Sequence, residues 1–297
     1  MSVQALPFIL LQGLLFGSNL IAMRFSLGQF QPITFNALRL ILASLLHASF
    51  YLLNGRRYKW PTDPHLWRHA ALLGVFGAAI PTVAIVGALQ YQSAGVTSAL
   101  LTTGPAVTVL LAHFFLADER LTAPKGIGVA LALGGALLLT LRGEVGLSDG
   151  SPANPIGYGL VFLAMLSGSS MTIYIRRFLL DLDYLGLASA RIFVATAFVM
   201  PFSALLEGLH LQDATASGYL VLGYSAIVIV AGLLLDFYNV RRFGATAAAM
   251  PMYVIPAVAS LGGAVFLDEQ ITSGMMFGMA LILIGIMLVN RRQGHKL

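Results

Sequence analysis

Cysteine is absent from the 297 residues, so the chain has neither a disulfide framework nor a thiolate metal site, and cysteine usage says nothing about redox compartment. Charge is almost as scarce. Asp, Glu, Lys and Arg together make up 10% of the residues, against about 25% in soluble domains. The 12 acidic residues form no Asp-rich magnesium motif, which excludes prenyl transfer of that kind. No Walker sequence is present, so ATP does not drive this protein directly. An aspartyl intramembrane protease needs two deep aspartates, and Asp236 is the one candidate. A serine intramembrane protease typically carries Gly-x-Ser-Gly, and this chain offers Gly168-Ser169-Ser170 instead. We therefore expect no enzyme, no cofactor and no metal. The net charge of +5 and pI near 9.6 do not point to nucleic acid, because the basic residues sit in short loops between apolar runs.

Apolar residues, by contrast, reach 58%, with a mean hydropathy of +0.85, which leaves no room for a large soluble domain. Ten stretches have membrane-spanning length, about 20 residues each. They lie near 5–24, 33–53, 69–90, 94–116, 124–141, 155–175, 184–206, 217–239, 244–267 and 271–290. The pair 69–90 and 94–116 is divided only by Tyr91-Gln92-Ser93. No Lys or Arg precedes the first run and Arg24 follows it, which is not the pattern of a secretory signal.

The same five-span unit is written twice. At an offset of 150, Asp118-Glu119 matches Asp268-Glu269, and Gly128-x-Ala130-Leu131-x-Leu133-x-Gly135 matches Gly278-x-Ala280-Leu281-x-Leu283-x-Gly285. Within one or two residues of that offset, Gly17-Ser18-Asn19 matches Gly168-Ser169-Ser170, Arg39 matches Arg191, and Pro105 matches Pro256. Five is odd, so the second copy starts on the opposite face of the bilayer. Inverted repeats are the architecture of secondary transporters, with the substrate between the halves. The halves divide at the Gly, Ser, Asp and Pro-rich stretch 142–154, giving units 1–145 and 146–297. With the N-terminus inside, inner loops hold Arg56, Arg57, Lys59, Arg68, Arg120, Lys125, Arg176, Arg177, Arg241, Arg242, Arg291, Arg292 and Lys296, whereas outer loops hold Arg24 and Arg142. That asymmetry places both termini in the cytoplasm.

Two halves that each close with a Pro-containing helix, a Leu-x-Asp-Glu or Leu-Asp-Glu end and a Gly-rich final helix resemble the EamA-type drug/metabolite transporter superfamily. The carrying residues are Pro105, Leu116, Asp118 and Glu119, and Pro256, Leu267, Asp268 and Glu269. Within that superfamily the chain looks most like the YddG-type exporters, which are credited with exporting aromatic amino acids. The resemblance implies an all-α integral membrane fold of ten helices in the cell inner membrane, and a cavity lined mainly by helices 1, 3, 4, 6, 8 and 9. It implies small-molecule substrates, amino acids or related metabolites. A monomer is expected, with a dimer left open by Gly13-x-x-x-Gly17 and Gly274-x-x-x-Gly278.

Pro105 and Pro256 fall at the midpoints of the fourth and ninth spans, and interruptions at matching points of two halves point to a binding site. Ser98, Thr102, Thr103 and Thr108 surround the first; Pro251, Tyr253 and Ser260 surround the second. Small hydroxyls bonding their own backbone are the alternative. Ser18, Asn19 and Ser169 are further cavity candidates, and Asn19 offers both a donor and an acceptor; packing is the competing role for the serines. Tyr91, Tyr174, Tyr224, Tyr238 and Tyr253 need partners for their hydroxyls. Arg39 and Arg191, as symmetry mates, suit a structural role such as capping carbonyls or reaching the headgroups, with a substrate contact as the alternative. Asp236 has no acidic mate; it suits an ion pair with Arg191 or Arg241, or else a proton carrier or ammonium site. His47 and His113 suit packing more than a proton relay. Asp118, Glu119, Asp268 and Glu269 lie at span ends and ask for no functional explanation. The reading that follows is a carrier of amino acids, aromatic and other neutral, working by alternating access. The alternative is a proton-coupled exporter of cationic amphipathic drugs.

Overall fold

Each long apolar run folds as helix, because in lipid a backbone must bond to itself. The structure, a computed structural model, describes residues 3–53, 60–116, 120–179, 183–208, 211, 214–244 and 249–290. The first half comprises α1 (Leu6–Ser26), α2 (Pro32–Leu53), α3 (Pro64–Ala88), α4 (Ala94–Phe115) and α5 (Ala123–Leu141). The second comprises α6 (Pro155–Phe178), α7 (Tyr184–Leu206), α8 (Ala216–Phe243), α9 (Pro251–Phe266) and α10 (Ser273–Asn290). Nine of these are long and apolar enough to cross a membrane, and α9, with 16 residues, is the shorter apolar helix. The protein is a multi-pass membrane protein. Asp118, Glu119, Lys59, Arg291 and Lys296 lie outside the described residues.

Helix starts follow local chemistry. Asp63 accepts from the His65 N–H at 2.9 Å and Asn154 from the Ile156 N–H at 3.0 Å, each followed by a proline that fits the first turn. The Asp63-Pro64 signal starts α3 five residues before the expected 69. Inside α3 a π segment, Val75–Ala79, runs up to Pro81, whose ring nitrogen has no proton for the helical ladder. In α4 the helix breaks at Thr102-Thr103 and restarts at Gly104, with Pro105 in the new first turn. Pro256, its counterpart in sequence, sits inside the continuous helix α9. It stands five residues after that helix begins at Pro251, so its missing N–H removes only a bond near the helix start.

Packing repeats with the sequence. The closest helix pairs are α5 with α10, α2 with α7, α1 with α9, α4 with α6, α1 with α8, α3 with α6, α3 with α7, α2 with α8, and α4 with α9. Shifting every helix number by five maps this set onto itself. At the tightest crossing, a Cβ on Gly128 would meet Gly285 O at 2.7 Å and one on Gly135 would meet Gly278 O at 2.8 Å. The repeated glycine motif is thus its own partner, and α5 and α10 run antiparallel. Gly13 and Gly17 face Val254 and Val258, so α1 and α9 run parallel. The apolar core between α4, α5, α6 and α10 includes Val96, Ala132, Leu139, Ile282 and Ile286.

Candidate functional site

α1 and α8 run antiparallel, and between them four polar residues meet in two neighbouring pairs. Ser18 Oγ lies 2.6 Å from Tyr224 OH, and Ser225 Oγ donates to Asn19 Oδ1 at 2.6 Å. Ser18 also donates to the Leu14 carbonyl of its own helix. Ser225 in turn accepts from Arg39 Nη1 at 3.4 Å, which brings α2 into the network. Arg39 Nε donates to Asn36 Oδ1 at 2.9 Å, and Asn36 Nδ2 donates to Thr82 Oγ1 of α3 at 3.1 Å. A line of amides, hydroxyls and one guanidinium therefore joins four helices. Among the described residues Arg39 caps no carbonyl, and it is buried, 2% exposed.

About two turns back along α1, Gln12 makes a second cluster. Its Nε2 donates to Asp236 Oδ1 at 3.2 Å, and its Oε1 accepts from Asn239 Nδ2 at 2.8 Å. Arg191 of α7 acts electrostatically on Asp236 and on His47. The broken α4 makes a third. Thr108 Oγ1 donates to Ser169 Oγ at 3.0 Å, and Ser169 donates to Gly104 O at 3.3 Å, beside the break. Ser98 and Thr102 spend their hydroxyls on their own helix, on Gly95 O and Ser98 O. Tyr253 belongs elsewhere, its hydroxyl accepting from Asn290 Nδ2 of α10 at 3.0 Å. His113 accepts from the Leu121 N–H at 3.2 Å, a turn-closing role.

Of the residues expected at a cavity, the fold therefore brings Ser18, Asn19 and Tyr224 together, and Ser169 to Pro105. It leaves Ser98 and Thr102 on their own backbone, and Tyr253 and Pro256 on α9. Sequence reasoning missed Gln12, Asn36, Thr82, Ser225 and Asn239. The available signal was plain: an amide or hydroxyl inside an apolar span requires a polar partner on a neighbouring helix.

A family model described as "EamA-like transporter family" matches residues 4–141 and again residues 155–291. The chain belongs to the EamA-like transporter family. It is 26% identical over 279 residues to an "Uncharacterized transporter" of Archaeoglobus fulgidus, covering 92% of this chain and 93% of that one. It is 24% identical to "Uncharacterized inner membrane transporter YedA" of Escherichia coli K12, over 93% of this chain and 87% of the relative. A "Probable terminal-alkyne amino-acid exporter" of Streptantibioticus cattleyicolor is 28% identical over 226 residues, covering 75% and 72%. A solved crystal structure superimposes with a TM-score of 0.67 at 19% identity, over 94% of each chain, a likeness of fold alone.

One end of this EamA-like bundle is held by charge and backbone together. It is the end that the Lys and Arg distribution assigns to the outside. Glu269, 8% exposed, accepts from the Ala94 N–H through both oxygens, at 2.9 and 3.1 Å, and so caps the start of α4. Arg24 Nε stands 3.9 Å from Glu269 Oε1 while Arg24 Nη1 donates to Leu89 O at 2.5 Å. Asp268, at φ +54°, turns the chain so that Glu269 points back under α4. Burial pushes the Glu269 carboxyl above the usual carboxylate range, against the Ala94 hydrogen bond and Arg24. The stretch between the halves straps across this end: Ser93 N–H donates to Val145 O at 2.7 Å and Gln270 N–H to Gly146 O at 2.9 Å. Glu269 is thus a fastening residue, a role its place at a span end did not suggest.

Proposed function

We propose that this EamA-like transporter exports neutral amino acids, aromatic ones included, and related metabolites across the cytoplasmic (inner) membrane. Ten helices, as two inverted repeats over 1–145 and 146–297 with cytoplasmic termini, rock around a site near the bilayer middle. The self-mapping helix contacts, the antiparallel α5–α10 crossing and the doubled family match support the inverted arrangement. One observation carries the substrate reading: the polar line Ser18–Tyr224 and Asn19–Ser225–Arg39 within otherwise apolar helices. Such a wall suits a solute with a polar, charged backbone and an apolar side chain. The relative described as a probable amino-acid exporter supports the same class.

Export of cationic drugs is less well supported. It relies on Asp236 to meet the cation, and that carboxylate already accepts from Gln12 and lies in the field of Arg191. The test is flux of labelled tryptophan, phenylalanine, threonine and methionine in proteoliposomes of the purified protein, with and without a proton gradient. Saturable flux of at least one of the four is expected. Absence of all four, with saturable flux of a cationic drug, overturns the amino-acid reading in favour of the alternative.

A further inference from the structure

Arg24, Arg39 and Arg191 differ in their surroundings. Arg24 has Glu269 at 3.9 Å. Arg191 shares its field with Asp236. Arg39 is 2% exposed, and among the described residues no carboxylate lies close enough to offset its charge. Its contacts are neutral: Asn36 Oδ1 on Nε, Ser225 Oγ on Nη1 at a long 3.4 Å, and the Phe35 ring, whose centroid is 5.8 Å from Cζ. A guanidinium carries five N–H donors. Hydrogen bonds engage one on Nε and one on Nη1, and among the described residues Nη2 makes none.

A buried, uncompensated cation is among the costliest features a membrane helix can carry. Arg39 is tied through Ser225 to Asn19, which adjoins the Ser18–Tyr224 pair. A carboxylate at this point would supply the missing charge and accept from the planar fork at two places, the geometry for which arginine is suited.

We infer that Arg39 is the carboxylate anchor of the transport site, so that the substrates are solutes with a free carboxylate and not amine-only cations. Ser18, Asn19 and Tyr224 stand beside it as neutral acceptors for the ammonium. This rests on the amino-acid reading above and adds the group that the site recognises.

The experiment uses the full-length protein in proteoliposomes and compares inhibition of labelled phenylalanine flux by unlabelled phenylalanine and by phenylalaninamide, which lacks the carboxylate. In the unmodified protein the amide is expected to compete roughly 10- to 100-fold more weakly, the loss of a charge-assisted hydrogen bond. In Arg39→Gln the acid-to-amide ratio falls towards one, whereas Arg39→Lys, which keeps the charge without the fork, retains an intermediate ratio. The ratio is independent of how much protein folds, and the comparison on the unmodified protein needs no variant. Equal competition by acid and amide in the unmodified protein overturns the anchor, as does an unchanged ratio in a folded Arg39→Gln. Either result leaves amino-acid export standing. Absence of flux for every amino acid removes the reading and the anchor with it.

Discussion

Replacing Gly285 by alanine tests the crossing on which the two halves meet. A Cβ there would stand 2.5 Å from Ala132 N and 2.6 Å from Gly128 O, where ordinary contacts are 3.4–4 Å. Both obstacles are backbone, so no side chain can swing aside, and α10 must retreat from α5 by most of an ångström. The retreat cannot stay local, because two turns away Gly278 O and Gly135 are in similarly close contact. Overpacking of this kind costs about 1–3 kcal/mol, and more when backbone is involved. Alanine recovers about 1 kcal/mol of helix propensity, which leaves a net loss of up to about 2 kcal/mol, or about 1–3 kcal/mol relative to an alanine that meets no obstacle. Gly134→Ala is the matched control. Nothing lies within 4 Å of its Cβ, so it carries the propensity gain without the collision. Both variants are unfolded in one detergent, by heat or by a denaturant titration followed by circular dichroism. Gly285→Ala should unfold well before the unmodified protein and Gly134→Ala no earlier than it. Equal stability of the two alanine variants would refute the close backbone contact.

Further outcomes follow from the charged groups. Because burial raises the Glu269 pKa, the folded protein holds that proton more tightly than the unfolded chain. Stability therefore falls as pH rises from the ordinary glutamate range through the raised value, and Glu269→Gln flattens this slope. Melting temperatures of both proteins over roughly pH 4 to 8 check it, and parallel slopes would dismiss the effect. Asp236→Asn keeps an oxygen that can accept from Gln12, so the variant should express and transport phenylalanine. Loss of phenylalanine flux in a folded Asp236→Asn would instead make Asp236 a coupling residue.

Much of the architecture was legible in the chain itself. Apolar runs of spanning length must become helices in lipid, whatever their neighbours, and prolines with Asp63 or Asn154 before them set helix starts by local bonding alone. The repeat of Gly128 to Gly135 at Gly278 to Gly285 is likewise a property of sequence. That these glycines are each other's partners was not readable, because the offset tells only that two segments are alike, and contact depends on how the halves turn towards one another. The same limit applies to the site. Asn19, Ser18 and Tyr224 could be picked out as polar groups in apolar spans, but Ser225 and Asn36 became meaningful only when α8 and α2 were brought against α1 and α3. Pro105 and Pro256 look equivalent in sequence, yet Pro105 stands in the first turn of a segment that restarts at Gly104, whereas Pro256 lies inside Pro251–Phe266. Arg39 and Arg191 likewise match in sequence, yet only α8, packed against α2 and antiparallel to α1, gives one of them Asp236 in its field and the other Ser225. Charge in a span is fixed by the residue; whether that charge is compensated is fixed by the neighbour across the helix interface, which lies 150 or more residues away along the chain for Arg24 with Glu269 and for Arg39 with Ser225.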